Sequence, residues 1–288
     1  MLNLLAIGIA LAASGTASAQ DFFFLQMSDP QFGMYTGNTS FAQESANLEF
    51  AIATANRLHP AFVIISGDLV NKPGDKAQID EYLRITRNLD TGIPLYSVAG
   101  NHDVGNIPTP ESLAAYRKTF GKDYYTFRKG SMEGIVLNSS IIQHPDKVMD
   151  EEVRQREWLE EELKKAVADH IQWIIMFQHI PWFLHDPNEP DQYFNIPHEA
   201  RLQYLKILKE SGVRYDFAGH LHQNSEGTDG TLEMVTTAPV GRPLGSATSG
   251  IRIISVGKSD LCHHYYGLGN LPNQIDLKAF EVCAPNIP

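Results

Sequence analysis

Short apolar runs alternate along the chain with longer stretches in which apolar residues recur every three or four positions. FFFLQM at 22–27, AFVIIS at 61–66, PLYSVA at 94–99, GIVLNSS at 134–140, WIIMFQH at 173–179 and YDFAGH at 215–220 are apolar on successive residues. Runs of that kind predict strands buried on both faces. Between them, 41–58, 75–88, 111–120, 150–168 and 196–211 carry a helical apolar period with charged outer faces, which predicts amphipathic helices. After Gly230 the pattern changes to TLEMVTT, GIRIISVG and LCHHYYGL, separated by Gly and Pro turns with no helical stretch between them. That change predicts a second, largely antiparallel sheet closing the fold. No repeat, low-complexity tract or long linker interrupts the pattern, so residues 20–288 are expected to form one α/β domain.

The first twenty residues contain no Lys, Arg, Asp or Glu, and the apolar run from Leu4 to Ala13 gives way to Ala17-Ser18-Ala19. Residues 1–19 are therefore expected to be a signal peptide, although its start lacks the usual positive side chain; a retained N-terminal anchor is the alternative. The mature chain is expected to be exported, periplasmic or secreted, without membrane association after cleavage. No later segment approaches the roughly 18 apolar residues of a membrane-spanning helix. A formal net charge of −11 argues against nucleic-acid binding, which needs a basic surface. Cys262 and Cys283 would meet a disulfide-permissive compartment after export, but sequence leaves their pairing open. Oligomeric state has no signature in the sequence.

Five polar motifs follow predicted strands: Asp29-Pro30-Gln31, SGDLVN with Asp68, AGNHD with Asn101, His102 and Asp103, FQHIP with His179, and AGHLH with His220 and His222. Taken singly, Asp or Asn after a strand is an ordinary turn former. Taken together they fit the rule that α/β sheets bind ligands beyond the carboxyl ends of their strands, which predicts that five strands deliver these groups to one edge. The residue types suit a pair of divalent ions about 3.5–4 Å apart, with one shared anionic oxygen donor flanked by neutral nitrogen and oxygen ligands. Asp68 suits the shared position, and the net positive charge left on such a centre binds phosphoryl oxygens despite the acidity of the chain.

In these motifs, D-x-Q, G-D-x-x, G-N-H-D, H and G-H-x-H in order, the chain resembles the calcineurin-like metallophosphoesterases. SDPQFG, GNHDVG, YYTF, VLNSS, QHIPWFL, AGHLHQN and VGRPLGSATSGIRI extend the resemblance over most of the mature chain. It implies a four-layer αββα sandwich and two divalent ions drawn from Mn²⁺, Mg²⁺, Fe²⁺ and Zn²⁺. It implies Asp29, Asp68 and His222 on one ion, Asp68, Asn101, His179 and His220 on the other, and His102 as proton donor to the leaving oxygen, oriented by Asp103. Gln31 stands where the wider family has histidine and is expected at the first ion, as a weakened ligand or as the holder of its water. Asn71 replaces the metal-bound tyrosine of purple acid phosphatases, and the arginine motifs of the classical protein phosphatases are absent. The implied activity is hydrolysis of phosphate monoesters by attack of a metal-bound hydroxide, on a small phosphorylated substrate in preference to a phosphoprotein. Phosphodiester cleavage on the same centre and a non-catalytic metal-binding module are the alternatives. Arg242, Trp182, Phe183, Tyr193 and Phe194 are candidates for the substrate pocket.

Overall fold

The computed structural model describes residues 21–280. The expected signal peptide at 1–19 and Cys283, whose pairing with Cys262 the sequence leaves open, lie outside the described residues.

Three short parallel strands, β1 (Phe22–Met27), β2 (Val63–Ile65) and β3 (Leu95–Ser97), form the middle and one edge of a first sheet. A second sheet holds β4 (Tyr125–Lys129), β5 (Met132–Val136), β6 (Trp173–Phe177), β7 (Tyr215–Ala218), β8 (Ser225–Thr228) and β9 (Glu233–Thr236). The last strands, β10 (Gly250–Val256) and β11 (Leu261–Gly267), return to the first sheet. The strand orders are β11-β10-β1-β2-β3 and β4-β5-β6-β7-β9-β8.

Alternate residues of each central strand enter different cores, which is why these strands read as unbroken apolar runs. Leu25, Met27, Val63 and Ile65 pack against α1 (Ala42–Leu58) and α2 (Lys76–Thr86). Phe24 and Ile64 point the other way and meet Ile175, Phe177 and Phe217 between the sheets. Ile174 and Met176 face Leu159, Leu163, Tyr204 and Leu208, which lie on two later helices. Those helices and their shorter companions are α3 (Asn101–Val104), α4 (Pro110–Phe120), α5 (Ser139–Gln143), α6 (Met149–Ala168) and α7 (His198–Glu210), followed by α8 (Leu277–Phe280). The layers therefore run helix, sheet, sheet, helix, as expected. Local chemistry sets the helix starts: the Asp75 carboxylate accepts from the Ala77 and Gln78 amides, and Thr109 with Pro110 opens α4.

Two expectations need correction. The segments after Gly230 do not make a sheet of their own: β9 pairs parallel with β7, whereas β10 pairs antiparallel with β1. Splitting them extends both sheets and lets Ile254 and Val256 join the inter-sheet core. The GIVLNSS run also ends as a strand at Val136, and its two serines begin α5. Among the described residues, no helix is long and apolar enough to cross a membrane.

Candidate metal centre

All five motifs lie just beyond the carboxyl ends of β1, β2, β3, β6 and β7. The groups come from the adjoining edges of two sheets, not from one sheet edge, so the site straddles the sandwich. Asp29, Gln31, Asp68, His220 and His222 all adopt left-handed backbone conformations, with φ of 47°, 39°, 48°, 68° and 57°. Each such residue costs on the order of 1–3 kcal/mol unless the surroundings enforce it. Here the loops lock one another: Gln31 N donates to Asp68 O at 2.9 Å, Gly219 N to His179 O at 3.0 Å and Val240 N to Ser28 O at 2.7 Å. Two motif glycines are dictated by the same crowding. A Cβ on Gly100 would collide with the Asp68 backbone and carboxylate, and one on Gly219 with Ser28 and the Asp29 carboxylate.

Donor atoms of Asp29, Asp68 and His222 that could hold an ion lie within 4.8 Å of one another, as do those of Asp68, His179 and His220. Asp68 belongs to both groups. His179 Nε2 is 3.3 Å from Asp68 Oδ2 and 3.0 Å from Asn101 Oδ1, which brings Asn101 into the second group. His222 Nε2 is 3.3 Å from Asp29 Oδ1. Each histidine is oriented through its other nitrogen by a backbone carbonyl: His179 Nδ1 donates to Ser66 O (2.8 Å), His220 Nε2 to Tyr193 O (2.9 Å) and His222 Nδ1 to Arg242 O (2.5 Å). Such partners fix the tautomer that leaves the inward nitrogen free to ligate.

Electrostatics fit the same reading. Burial opposes ionisation of Asp68, yet the facing His179, with His102 and His220, holds its carboxyl well below the usual range. Burial likewise opposes charge on His179, but Asp68 and Asp29 lift its imidazole to about 9, whereas burial and His179 press His220 down to about 4. Without ions, a histidinium supplies the positive charge that the carboxylates require. Asp29 Oδ1 and Gln31 Oε1 are buried with no hydrogen-bond partner among the described residues. Orphaned acceptors of this kind, beside an anionic oxygen shared by two clusters, fit a pair of divalent cations.

The remaining predicted residues divide. Gln31 is 2% exposed and its Nε2 donates to Asn71 Oδ1 at 3.2 Å, leaving its carbonyl oxygen unengaged. His102 is half-buried at the start of α3, with its backbone amide donating to Asp68 Oδ1 (2.8 Å) and its Nδ1 to Asn71 O (2.8 Å). Asp103 does not orient it: the Asp103 carboxylate accepts from Gly100 N at 2.8 Å and Val70 N at 3.2 Å. Its work is to tie two motif loops together, and the group that orients His102 is the Asn71 carbonyl. Trp182 and Phe183 are wholly buried in the core beneath α7. Arg242 contributes its carbonyl to His222, while its guanidinium donates to Met34 O. Sequence reasoning missed the carbonyl anchors, since any residue can supply a carbonyl; the glycine beside His220 and His222 was the only hint that backbone approaches closely.

The family model described as calcineurin-like phosphoesterase matches residues 24–224, which hold every motif above. The bovine protein named serine/threonine-protein phosphatase CPPED1 is 36% identical over 265 residues, covering 87% of this chain and 85% of that one. Among solved structures, a dimetal phosphatase from Danio rerio superposes with a TM-score of 0.64 at 17% identity, over 86% of this chain and 96% of that one. A purple acid phosphatase from yellow lupin gives 0.66 at 14% identity, over 88% and 52%.

Proposed function

The chain belongs to the calcineurin-like phosphoesterase family, a phosphoric ester hydrolase with a dimetal centre, and from that premise we propose that it hydrolyses phosphate monoesters of small substrates after export. The observation that carries the reaction is the pair of buried ligand groups sharing Asp68. Asp29, Asp68 and His222, with Gln31 beside them, would hold one ion; Asp68, Asn101, His179 and His220 would hold the other. When bound, the ions supply Lewis-acid charge to the phosphoryl oxygens and an acidified water as nucleophile.

The protein's own groups do the rest. His102 is fixed through Nδ1 on Asn71 O, so its Nε2 is the atom that carries a proton to the leaving oxygen. The left-handed loops hold the donors in place before substrate arrives, so little reorganisation remains at the moment of reaction. Small substrates are favoured by the absence of the arginine motifs used by classical protein phosphatases, and export by the charge-free N-terminal twenty residues. The name of the bovine relative supplies the competing substrate, a phosphoserine or phosphothreonine side chain.

The deciding experiment compares aryl phosphate monoesters, bis-aryl phosphodiesters and a phosphoserine peptide on chelated and Mn²⁺-reloaded enzyme. Monoester turnover that vanishes on chelation and returns with metal is expected. Full activity in excess chelator would overturn the dimetal chemistry; faster diester or peptide cleavage would overturn the substrate assignment.

A further inference from the structure

Tyr193 touches the second ligand group twice, through two different atoms. Its phenolic oxygen accepts from Asn101 Nδ2 at 3.1 Å, and its carbonyl accepts from His220 Nε2 at 2.9 Å. Its ring lies 4.8 Å from the His220 ring while the side chain stays half exposed. The loop that carries it is held from below: Gln143 Nε2 donates to Tyr193 O (3.1 Å) and Asn195 O (3.0 Å), and Asn195 Nδ2 donates to Glu189 Oε1 (2.7 Å).

An amide side chain ligates a cation only when its oxygen, not its NH₂, faces the ion. Asn101 Nδ2 has two protons, and two acceptors take them: Asn106 Oδ1 at 2.6 Å and the Tyr193 hydroxyl. With both engaged, Oδ1 is turned toward His179 Nε2, 3.0 Å away. We propose that Tyr193 is a positioning residue for the second ion, setting the amide of Asn101 through its hydroxyl and the tautomer of His220 through its carbonyl. This rests on the dimetal reading above. Tyr193→Phe isolates the hydroxyl arm, since it retains the ring against His220 and the backbone carbonyl.

The test titrates metal-free protein with Mn²⁺ by calorimetry, without substrate, so it is separate from whether any ester is cleaved. Wild type is expected to show two binding events. In Tyr193→Phe one of them should weaken by about 10-fold or more, the usual effect of losing an outer-shell partner, with the other unchanged. Co²⁺ loaded into the weakened site should show an altered visible spectrum, which general loosening of the fold would not confine to one ion. In an Asn101→Ala background the same change should add nothing. Asn106→Ala, which removes the other amide anchor, should weaken the same site and guards against a misfolded Tyr193 variant. Wild-type affinities and Co²⁺ spectra in both Tyr193→Phe and Asn106→Ala, or full additivity with Asn101→Ala, would overturn the proposal. Two intact binding events in wild type without ester cleavage would instead overturn the proposed activity and leave this role standing.

Discussion

Asp68 and Asp216 are both buried aspartates of this sandwich, exposed 1% and 0%, yet their surroundings shift the two carboxyls in opposite directions. Asp68 sits on the loop edge, where His179, His102 and His220 overcome the burial penalty and keep it ionised. Asp216 lies inside β7, where burial lifts its carboxyl to about 8 and the Gln178 amide donates to it at 2.9 Å. The difference teaches that burial alone marks nothing as functional. An edge built for chemistry gathers compensating cations and strained backbone, whereas the interior satisfies a polar group by leaving it neutral.

Removing charge from Asp68 should break this contrast most severely. Asp68→Asn is expected to lose both ions and to lower turnover by about 10³-fold or more, because ion-supplied charge stabilisation is worth several kcal/mol. Metal analysis of the purified variant alongside its turnover checks this; two retained ions would deny Asp68 the shared position. Next in size is His102→Gln, expected to keep both ions and to lose about 10²–10⁴-fold on esters with poor leaving groups. Activated aryl esters, which need little protonation, should lose much less. Equal losses on both would assign His102 to binding.

The same contrast explains what sequence could and could not show. The strands were legible because their central residues are buried on both faces, and the clustered polar groups because Asp29, Asp68, His179, His220 and His222 stand in motifs at strand ends. The late strands were misplaced because an apolar strand pattern names a buried environment and not a partner; β9 and β10 carry the same pattern and join different sheets. The role that the resemblance implies for Asp103 is taken by another group: the Asp103 carboxylate turns back onto Gly100 N and Val70 N, and His102 Nδ1 donates to the Asn71 carbonyl. The carbonyls of Ser66, Tyr193 and Arg242 were invisible for the same reason that any backbone contact is.

Asp216 offers a test of the interior half of the comparison. Its carboxyl is neutral in both folded and unfolded chains below the ordinary value of 3.8, so its contribution is fully present there. Between that pH and about 8 the unfolded chain ionises and the folded one does not, so stability falls as pH rises, and levels off above. Asp216→Asn removes this slope. Thermal melts of metal-free protein should show the variant gaining on wild type from pH 5 to pH 8, by on the order of several degrees. A constant difference across that range would mean that Asp216 is ionised in the fold.

The smallest expected effect lies at Gln31, where edge and interior meet: it is buried, uncharged and left-handed, with its amide nitrogen on Asn71 and its oxygen unengaged. An amide oxygen is a harder donor than imidazole, so the ion beside Asp29 should favour Mn²⁺ or Mg²⁺ over Zn²⁺ relative to a histidine-bearing site. Gln31→His should strengthen binding of that ion by about 10-fold and move its preference toward Zn²⁺, whether position 31 ligates directly or holds a bound water. Competitive titration of Mn²⁺ against Zn²⁺ in the two proteins reads both effects at once. Unchanged affinity and unchanged order would place Gln31 outside the ion's surroundings, and its unengaged oxygen would then belong to the loop alone.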